Sequence, residues 1–251
     1  MPPQAPWRDR LYSLGLAHHD QLNRAFGGGL PTGSVVLVEG GYGTGKSTLA
    51  GRIAHGLCEQ SFDVSYLSTE QPVGRFLDGM RSLSYDVTAH LLDRQLLYLF
   101  GDLSRFDDED GEPPQLLSRL TETRRMWEAD VAILDQFGDI LRYDPTFELL
   151  AERTDRRRAA QRVLSFLRRI TRNGRTVVLT VDPAGLSQET LEPFRAVADV
   201  VLELTATRAS RGIRRAIEVT RFLGMGRQVD DSIGFSIRPG IGIVIENRRV
   251  V

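Results

Sequence analysis

The feature that most constrains the fold of this chain is a glycine-rich octapeptide that ends in a lysine and a serine. Residues 40–47 read Gly-Gly-Tyr-Gly-Thr-Gly-Lys-Ser, which satisfies the pattern G-x-x-x-x-G-K-[ST]. The apolar run Ser34–Val38 precedes it, and a helical pattern from Lys46 to about Gln60 follows it. A loop of this kind between a buried strand and a helix predicts an α/β phosphate-binding core.

Each residue type in this phosphate loop has a reason in phosphate chemistry. Glycines let the backbone wrap closely around a phosphate chain with its N–H groups pointing inward. The compact ammonium of Lys46 can reach the β- and γ-phosphates, and the hydroxyl of Ser47 can bind Mg²⁺. Lys and Arg total 32, and Lys46 is the one lysine among them. We therefore expect Mg-ATP to be bound by Gly41, Tyr42, Gly43, Thr44, Gly45, Lys46, Ser47 and Thr48.

A carboxylate at the end of another predicted strand supplies a second Mg²⁺ ligand. Asp135 follows the apolar run Val131–Leu134. Open parallel sheets bind their ligands at the carboxyl ends of strands, where the phosphate loop also lies. The sequence therefore predicts that Ser47 and Asp135 hold the Mg²⁺ of the nucleotide, Asp135 either directly or through water.

Two further residues at predicted strand ends are candidates for a role in hydrolysis. Glu70 follows the run Phe62–Leu67, a strand expected beside the loop strand, and could orient or deprotonate the attacking water. The alternative is a carboxylate at a helix N-terminus, because Pro72 follows it. Thr180 ends the run Thr176–Val181 and could sense the γ-phosphate, or it could make only a local turn bond.

Apolar strand-like runs alternate with helical patterns along the chain, which predicts a largely parallel, twisted sheet flanked by helices. One long helix is expected over Phe147–Asn173. The last four runs predict an antiparallel extension of the sheet, at Val200–Leu204, Ile213–Phe222, Gly234–Ile237 and Gly242–Glu246. Neither a repeat nor a linker interrupts the pattern, so residues 1–251 are interpreted as one domain, with 1–14 as a short N-terminal segment.

Composition excludes several functional classes. The net charge of -1 gives no basic excess of the kind that nucleic-acid-binding proteins carry, so no nucleic-acid partner is expected. No apolar run reaches the length of a membrane span, and the N-terminus lacks the apolar region of a signal peptide, so a cytoplasmic location is expected. Cys58 reads as a buried apolar residue. Four histidines, His18, His19, His55 and His90, are not spaced along the sequence as metal ligands are. No metal beyond Mg²⁺ is therefore expected.

Motifs outside the phosphate loop resemble known ATPase families. His19–Asn23 followed by Gly27–Ser34 is similar to the segment that precedes the loop in RecA/KaiC-type ATPases. Other segments resemble the FlaH (ArlH) family, the KaiC-like ATP-binding subunits of the archaellum motor. These segments are Tyr66–Glu70, Met80–Asp86, Met126–Asp130, Val178–Pro183, Arg221–Gly226 and Gly240–Glu246. The resemblance extends from about Leu11 to Glu246.

This resemblance implies a RecA-like fold, ATP bound by the matching motif residues, and assembly into a hexameric ring. It also implies docking onto the motor ATPase FlaI (ArlI), near the membrane protein FlaJ (ArlJ) and other scaffold subunits, at the cytosolic face of the membrane. The resemblance further implies that ATP hydrolysis is slow or absent, and Glu70 matches the catalytic base of RecA-type ATPases. KaiC-type proteins carry a Lys-x-Arg pair that reaches the neighbouring subunit's γ-phosphate. Here Arg221 matches one cation, and Leu223 occupies the place of the other.

Two other functions stay open. A KaiC-like signalling ATPase or autokinase would act without a motor. A RadA-type recombination ATPase would need a helix-hairpin DNA-binding domain or basic DNA-binding loops, and the chain shows no room for the first and little sign of the second.

Overall fold

A computed structural model describes residues 11–16, 19–103, 115–209 and 212–246. Residues 1–10 of the expected N-terminal segment, 1–14, therefore lie outside the described residues. The strands are β1 (Leu11–Tyr12), β2 (Leu30–Pro31), β3 (Val35–Gly40), β4 (Val64–Ser68), β5 (Leu96–Phe100), β6 (Val131–Asp135), β7 (Thr176–Val181), β8 (Val200–Ala209), β9 (Gly212–Phe222), β10 (Ser232–Arg238) and β11 (Gly242–Glu246). The helices are α1 (Leu22–Ala25), α2 (Lys46–Glu59), α3 (Val73–Ser82), α4 (Thr88–Leu92), α5 (Leu116–Glu122), α6 (Phe137–Tyr143), α7 (Pro145–Arg153), α8 (Arg156–Thr171) and α9 (Gln188–Val197).

Nine of the strands form one sheet in the order β11-β10-β9-β8-β3-β7-β6-β4-β5. The six strands from β8 to β5 are parallel, and β9, β10 and β11 continue the sheet antiparallel. Helices cover the parallel part, as long connections between parallel strands require. The α/β fold expected from the sequence, RecA-like with antiparallel C-terminal strands, is confirmed.

The central strand β3 is apolar along its length because both of its faces are buried. Successive side chains of a strand point to opposite faces. Val36 and Val38 accordingly pack in one hydrophobic core with α2. Val35 and Leu37 pack in a second core with α8 on the other face. This double burial holds the end of β3, and with it the phosphate loop, in a fixed position.

Two expectations about strand neighbours were wrong. The Glu70 strand, β4, does not lie beside β3; β7 and β6 separate the two, and β4 pairs with β6 instead. The connection through α2 crosses these positions, and a local sequence pattern does not encode how far a crossover reaches. The run Val200–Leu204, now β8, pairs parallel with β3, so the antiparallel extension begins only at β9.

The long helix expected over Phe147–Asn173 is two helices, α7 and α8. The chain leaves helical geometry at Thr154, where φ is -129° and ψ is -87°. Asp155 then begins α8 as its N-cap, and its carboxylate accepts a hydrogen bond from the N–H of Arg158 at 2.7 Å. Aspartate favours this position because it satisfies an N–H that the helix leaves without a partner.

Candidate functional site

The phosphate loop, residues 40–47, connects β3 to α2 at the carboxyl end of the sheet. Gly43 and Gly45 have φ angles of 75° and 101°, a left-handed conformation that glycine adopts without steric cost. Gly45 directly precedes Lys46, the first residue of α2. The loop therefore presents the N-terminus of a 14-residue helix, where unpaired N–H groups and the helix dipole favour an anion.

Lys46 is held inside the loop by packing and by one hydrogen bond. Lys46 is 5% exposed, and its Nζ donates to the carbonyl oxygen of Gly41 at 3.0 Å. Desolvation lowers the pKa of the Lys46 ammonium, and the carboxylates of Asp182 and Asp135 oppose that shift. A phosphate could replace the carbonyl as the partner of this ammonium, and it would bring the compensating negative charge.

Asp135 is the centre of a buried hydrogen-bond network. Its Oδ1 accepts from the hydroxyl of Ser47 at 3.1 Å and from that of Thr180 at 2.7 Å, and Tyr66 also donates to the carboxylate. Burial raises the pKa of Asp135, and the hydrogen bonds from Thr180, Ser47 and Tyr66 oppose that rise. The structure thus brings together the three residues that the sequence placed at separate positions, Ser47, Asp135 and Thr180.

The donor set beside the loop fits Mg²⁺. The Ser47 hydroxyl and the Asp135 carboxylate both offer oxygen, the ligand type that Mg²⁺ takes, and they lie in hydrogen-bond contact. Mg²⁺ usually has one or two protein ligands and completes its shell with phosphate oxygens and water. A bound Mg²⁺ would supply positive charge at the β- and γ-phosphates.

Glu70 follows β4 by two residues and accepts a hydrogen bond from a residue that the sequence did not indicate. The Nε2 of Gln136 donates to Oε2 of Glu70 at 3.2 Å, and the backbone N–H of Gln136 donates to the Thr180 hydroxyl at 2.8 Å. Gln136 has a left-handed φ of 59°, which turns the chain directly after Asp135. The one available signal was its position after a strand-end aspartate, and that position does not specify where its amide points.

The remaining phosphate-loop residues differ in exposure. Thr44 is buried, and its hydroxyl donates to the Gly41 carbonyl at 2.8 Å. Tyr42 is 95% exposed at the tip of the loop. Thr48 is half-buried in the first turn of α2. Arg215 of β9, which sequence reasoning missed, places its guanidinium 3.4 Å from the Gly43 carbonyl.

Arg221 lies away from the phosphate loop of its own chain. In the sheet, Arg221 pairs with Val201 of β8, whereas Gly40, where the phosphate loop begins, pairs with Leu204. Arg221 is therefore three residues along β8 from the level of the loop. Its guanidinium donates to backbone carbonyls at the end of α9, those of Arg195 at 2.9 Å and Ala198 at 2.8 Å among them. Leu223, two residues on, is 57% exposed.

Comparison with known proteins places this site in a family. A family model described as "ATPase: KaiC" matches residues 19–249. The chain belongs to the KaiC family of ATPases. The archaeal flagellar ATP-binding protein FlaH of Methanocaldococcus jannaschii is 27% identical over 229 residues, which cover 90% of this chain and 92% of that protein. FlaH of Methanococcus voltae is 25% identical over 232 residues, with 90% and 94% covered.

A solved structure extends the KaiC-family assignment to three dimensions. The crystal structure of the flagellar accessory protein FlaH from Methanocaldococcus jannaschii superposes with a TM-score of 0.84 at 26% identity, covering 95% of this chain and 100% of that one. The resemblance to FlaH is therefore shown in sequence and in fold. Within the described residues, no helix combines the length and the apolar character that crossing a membrane requires.

Proposed function

We propose that this KaiC-family chain binds Mg-ATP at the phosphate loop. Lys46 and the N–H groups at the start of α2 contact the phosphates, and Ser47 and Asp135 hold Mg²⁺. The observation that carries the proposal is the contact between the Ser47 hydroxyl and Asp135 beside the loop. It joins the two oxygen donors of a nucleotide-bound Mg²⁺ to the anion-binding end of α2. Thr180, bonded to the same carboxylate, is the candidate γ-phosphate sensor.

We further propose that the bound nucleotide regulates an archaellum motor. Full-length similarity to proteins named archaeal flagellar ATP-binding protein FlaH supports this role. In this proposal the chain forms a hexameric ring and acts on the motor ATPase FlaI, near FlaJ and other scaffold subunits, at the cytosolic face of the membrane. No nucleic acid takes part.

Slow hydrolysis is the third part of the proposal. Glu70, the candidate base, shares a hydrogen bond with the Gln136 amide, which competes with an attacking water for the same oxygen. By the resemblance to KaiC-type proteins, Leu223 takes the place of the second cation that would reach a neighbouring γ-phosphate. Such a cation contributes orders of magnitude to phosphoryl-transfer rates, so a site without it favours holding ATP.

The test is a pull-down of a FlaI-type hexameric ATPase by the full chain, with ATP, with ADP and without nucleotide. We expect capture with ATP to exceed both other conditions. Asp135→Asn, which removes the Mg²⁺ ligand, should abolish the difference, and Asp93→Asn on the exposed end of α4 should preserve it. Capture that is equal in the three conditions would contradict regulation by the nucleotide, and absence of capture in all three would instead favour a KaiC-like signalling ATPase without a motor.

A hydrolysis assay separates the recombination alternative. Single-stranded DNA should leave the rate of ATP hydrolysis unchanged at physiological salt. Stimulation of several-fold would assign the chain to the RadA-type class.

A further inference from the structure

Two histidines and a glutamate converge at the end of α2 farthest from the phosphate loop. His55 and Glu59 lie four residues apart on α2, a spacing that places them on the same helix face, and His90 approaches from α4. Their potential ligand atoms all lie within 4.8 Å of one another. Histidine spacing along the sequence does not show this group, because one member belongs to a different helix and another is a carboxylate.

The hydrogen bonds around His90 turn one nitrogen lone pair towards Glu59. The Gln95 amide donates through Nε2 to the Cys58 carbonyl at 2.8 Å, so its Oε1 faces Nδ1 of His90, also at 2.8 Å. Nδ1 therefore carries the proton, and in a neutral imidazole Nε2 carries a lone pair. That Nε2 lies 3.0 Å from Oε1 of Glu59, so two acceptors face each other unless a cation or a second proton joins them.

His55, the third member of the cluster, has a buried nitrogen that lacks a hydrogen bond. Its residue is 7% exposed, and Nδ1 has no hydrogen-bond partner among the described residues. Buried polar side-chain atoms in native proteins nearly always have a partner, so this nitrogen requires an explanation. Desolvation lowers the pKa of His55 to about 4, so its imidazole is neutral at pH 7, the form that binds metal ions.

We propose that His55, Glu59 and His90 form a binding site for a divalent transition metal ion of the Zn²⁺ type. Two imidazoles and a carboxylate are a frequent ligand set for Zn²⁺, with water in the fourth tetrahedral position. Zn–N distances of ~2.0–2.1 Å place neighbouring tetrahedral ligands about 3.3 Å apart. The 3.0 Å between His90 Nε2 and Glu59 Oε1 is close to this edge, and the His55 ligand nitrogen, within 4.8 Å of both, would have to approach to a similar distance.

The surroundings of the cluster suit a metal that joins structural elements. Gln95 holds His90 by its other ring nitrogen, as partners of metal-bound histidines commonly do. The ring of Tyr85 lies 5.3 Å from that of His55, and its hydroxyl accepts a hydrogen bond from the N–H of Ile243 in β11. A bound ion would therefore tie α2 to α4 next to β11. Glu59 is 13 residues beyond Lys46, about 20 Å along the helix, so this site is separate from the nucleotide Mg²⁺.

The test uses the full chain after treatment with a chelator. Zn²⁺ is titrated against a chromophoric chelator, and Co²⁺ is added separately to record its visible absorption. We expect one Zn²⁺ per chain, the intense visible bands of tetrahedral Co²⁺, and a higher Tm with metal than without it, because the ion binds the folded state. Absence of stoichiometric binding, or octahedral Co²⁺ spectra, would overturn the proposal.

Variants locate the site. His90→Gln and Glu59→Gln should each weaken Zn²⁺ binding by about 100-fold or more, since even loss of an outer partner costs 10–100-fold. Both side chains reach the surface, so these variants should fold, and retained Mg-ATP binding verifies it. The matched controls are His19→Gln and Glu189→Gln, both exposed and outside the cluster. Equal Zn²⁺ affinity in all four variants would mean that His90 and Glu59 form only an ion pair.

Discussion

Lys46 has little room for a different cation. It is 5% exposed, and its ammonium sits 3.0 Å from a carbonyl of its own loop. Lys46→Arg places a planar, bulkier guanidinium in that space. We expect Mg-ATP affinity to fall by at least about tenfold, equivalent to ~1.4 kcal/mol, while the protein still folds in the absence of nucleotide.

Titration with a fluorescent ATP analogue measures this loss, and thermal unfolding checks the fold. Arg172→Lys, the reverse exchange at an exposed position after α8, is the control and should bind as the parent does. Equal affinity in Lys46→Arg would show that the site needs only a positive charge.

Asp135 couples function to stability through its pKa. The unfolded chain has the ordinary value of 3.8, and burial raises the pKa in the folded state. Between these two values the folded state binds more protons, so stability falls as the pH rises through this window. Above this pH window, the folded state carries the full free-energy cost of burying the charged carboxylate. At pH 7, Asp135→Asn removes that charge and keeps an oxygen for the Thr180 hydroxyl.

We therefore expect Asp135→Asn to raise the Tm without nucleotide at pH 7 by about 2 °C or more, and to lose the Mg²⁺ dependence of ATP binding. The gain should shrink as the pH falls towards 3.8. Asp93→Asn, an exposed aspartate, is the control. A lower Tm for Asp135→Asn at pH 7 would show that the hydrogen bonds to the carboxylate outweigh its burial.

The junction of α7 and α8 depends on the Asp155 cap. Asp155→Ala removes the acceptor for the Arg158 N–H, and loss of such a cap costs about 1 kcal/mol. For a chain of this length we expect a Tm lower by about 2–4 °C, with Mg-ATP affinity unchanged. Arg157→Ala, exposed in the same turn, is the control. A Tm equal to that of the control would mean that packing alone positions α8.

At the same scale, the sequence predicts elements better than their arrangement. Strand cores such as Val131–Asp135 are predictable because burial on both faces requires an unbroken apolar run. The break between α7 and α8 at Thr154 was not predictable, because the helical period continues across it and one aspartate decides the boundary. The position of β4 in the sheet was not predictable either, because the length of a crossover is a property of tertiary packing. The positions of Asp135 and Thr180 at strand ends were predictable, whereas that of the Gln136 amide depends on a left-handed turn that has no local signal.

The whole molecule has a sheet whose phosphate-loop strand is central and whose antiparallel strands extend to one edge. Arg221 lies on β9, in the antiparallel part of the sheet, and within its own chain its guanidinium contacts carbonyls at the C-terminus of α9. A cation there stabilises the helix end through its dipole. In the proposed ring, the same residue would reach the γ-phosphate held by the neighbouring subunit. The two roles predict different consequences of removing the guanidinium.

The last prediction separates these roles with Arg221→Ala and Arg221→Lys. Light scattering measures assembly with Mg-ATP, a nucleotide titration measures binding to the single subunit, and thermal unfolding measures the α9 contact. If Arg221 acts across subunits, Arg221→Ala should lose ATP-dependent assembly or residual hydrolysis while it largely keeps nucleotide binding. Arg221→Lys retains a charge for the carbonyls of α9 but loses the bidentate fork that bridges phosphate oxygens. It should therefore keep the Tm of the parent and still assemble poorly. A lower Tm in Arg221→Ala with normal assembly in both variants would restrict Arg221 to capping α9 in its own subunit.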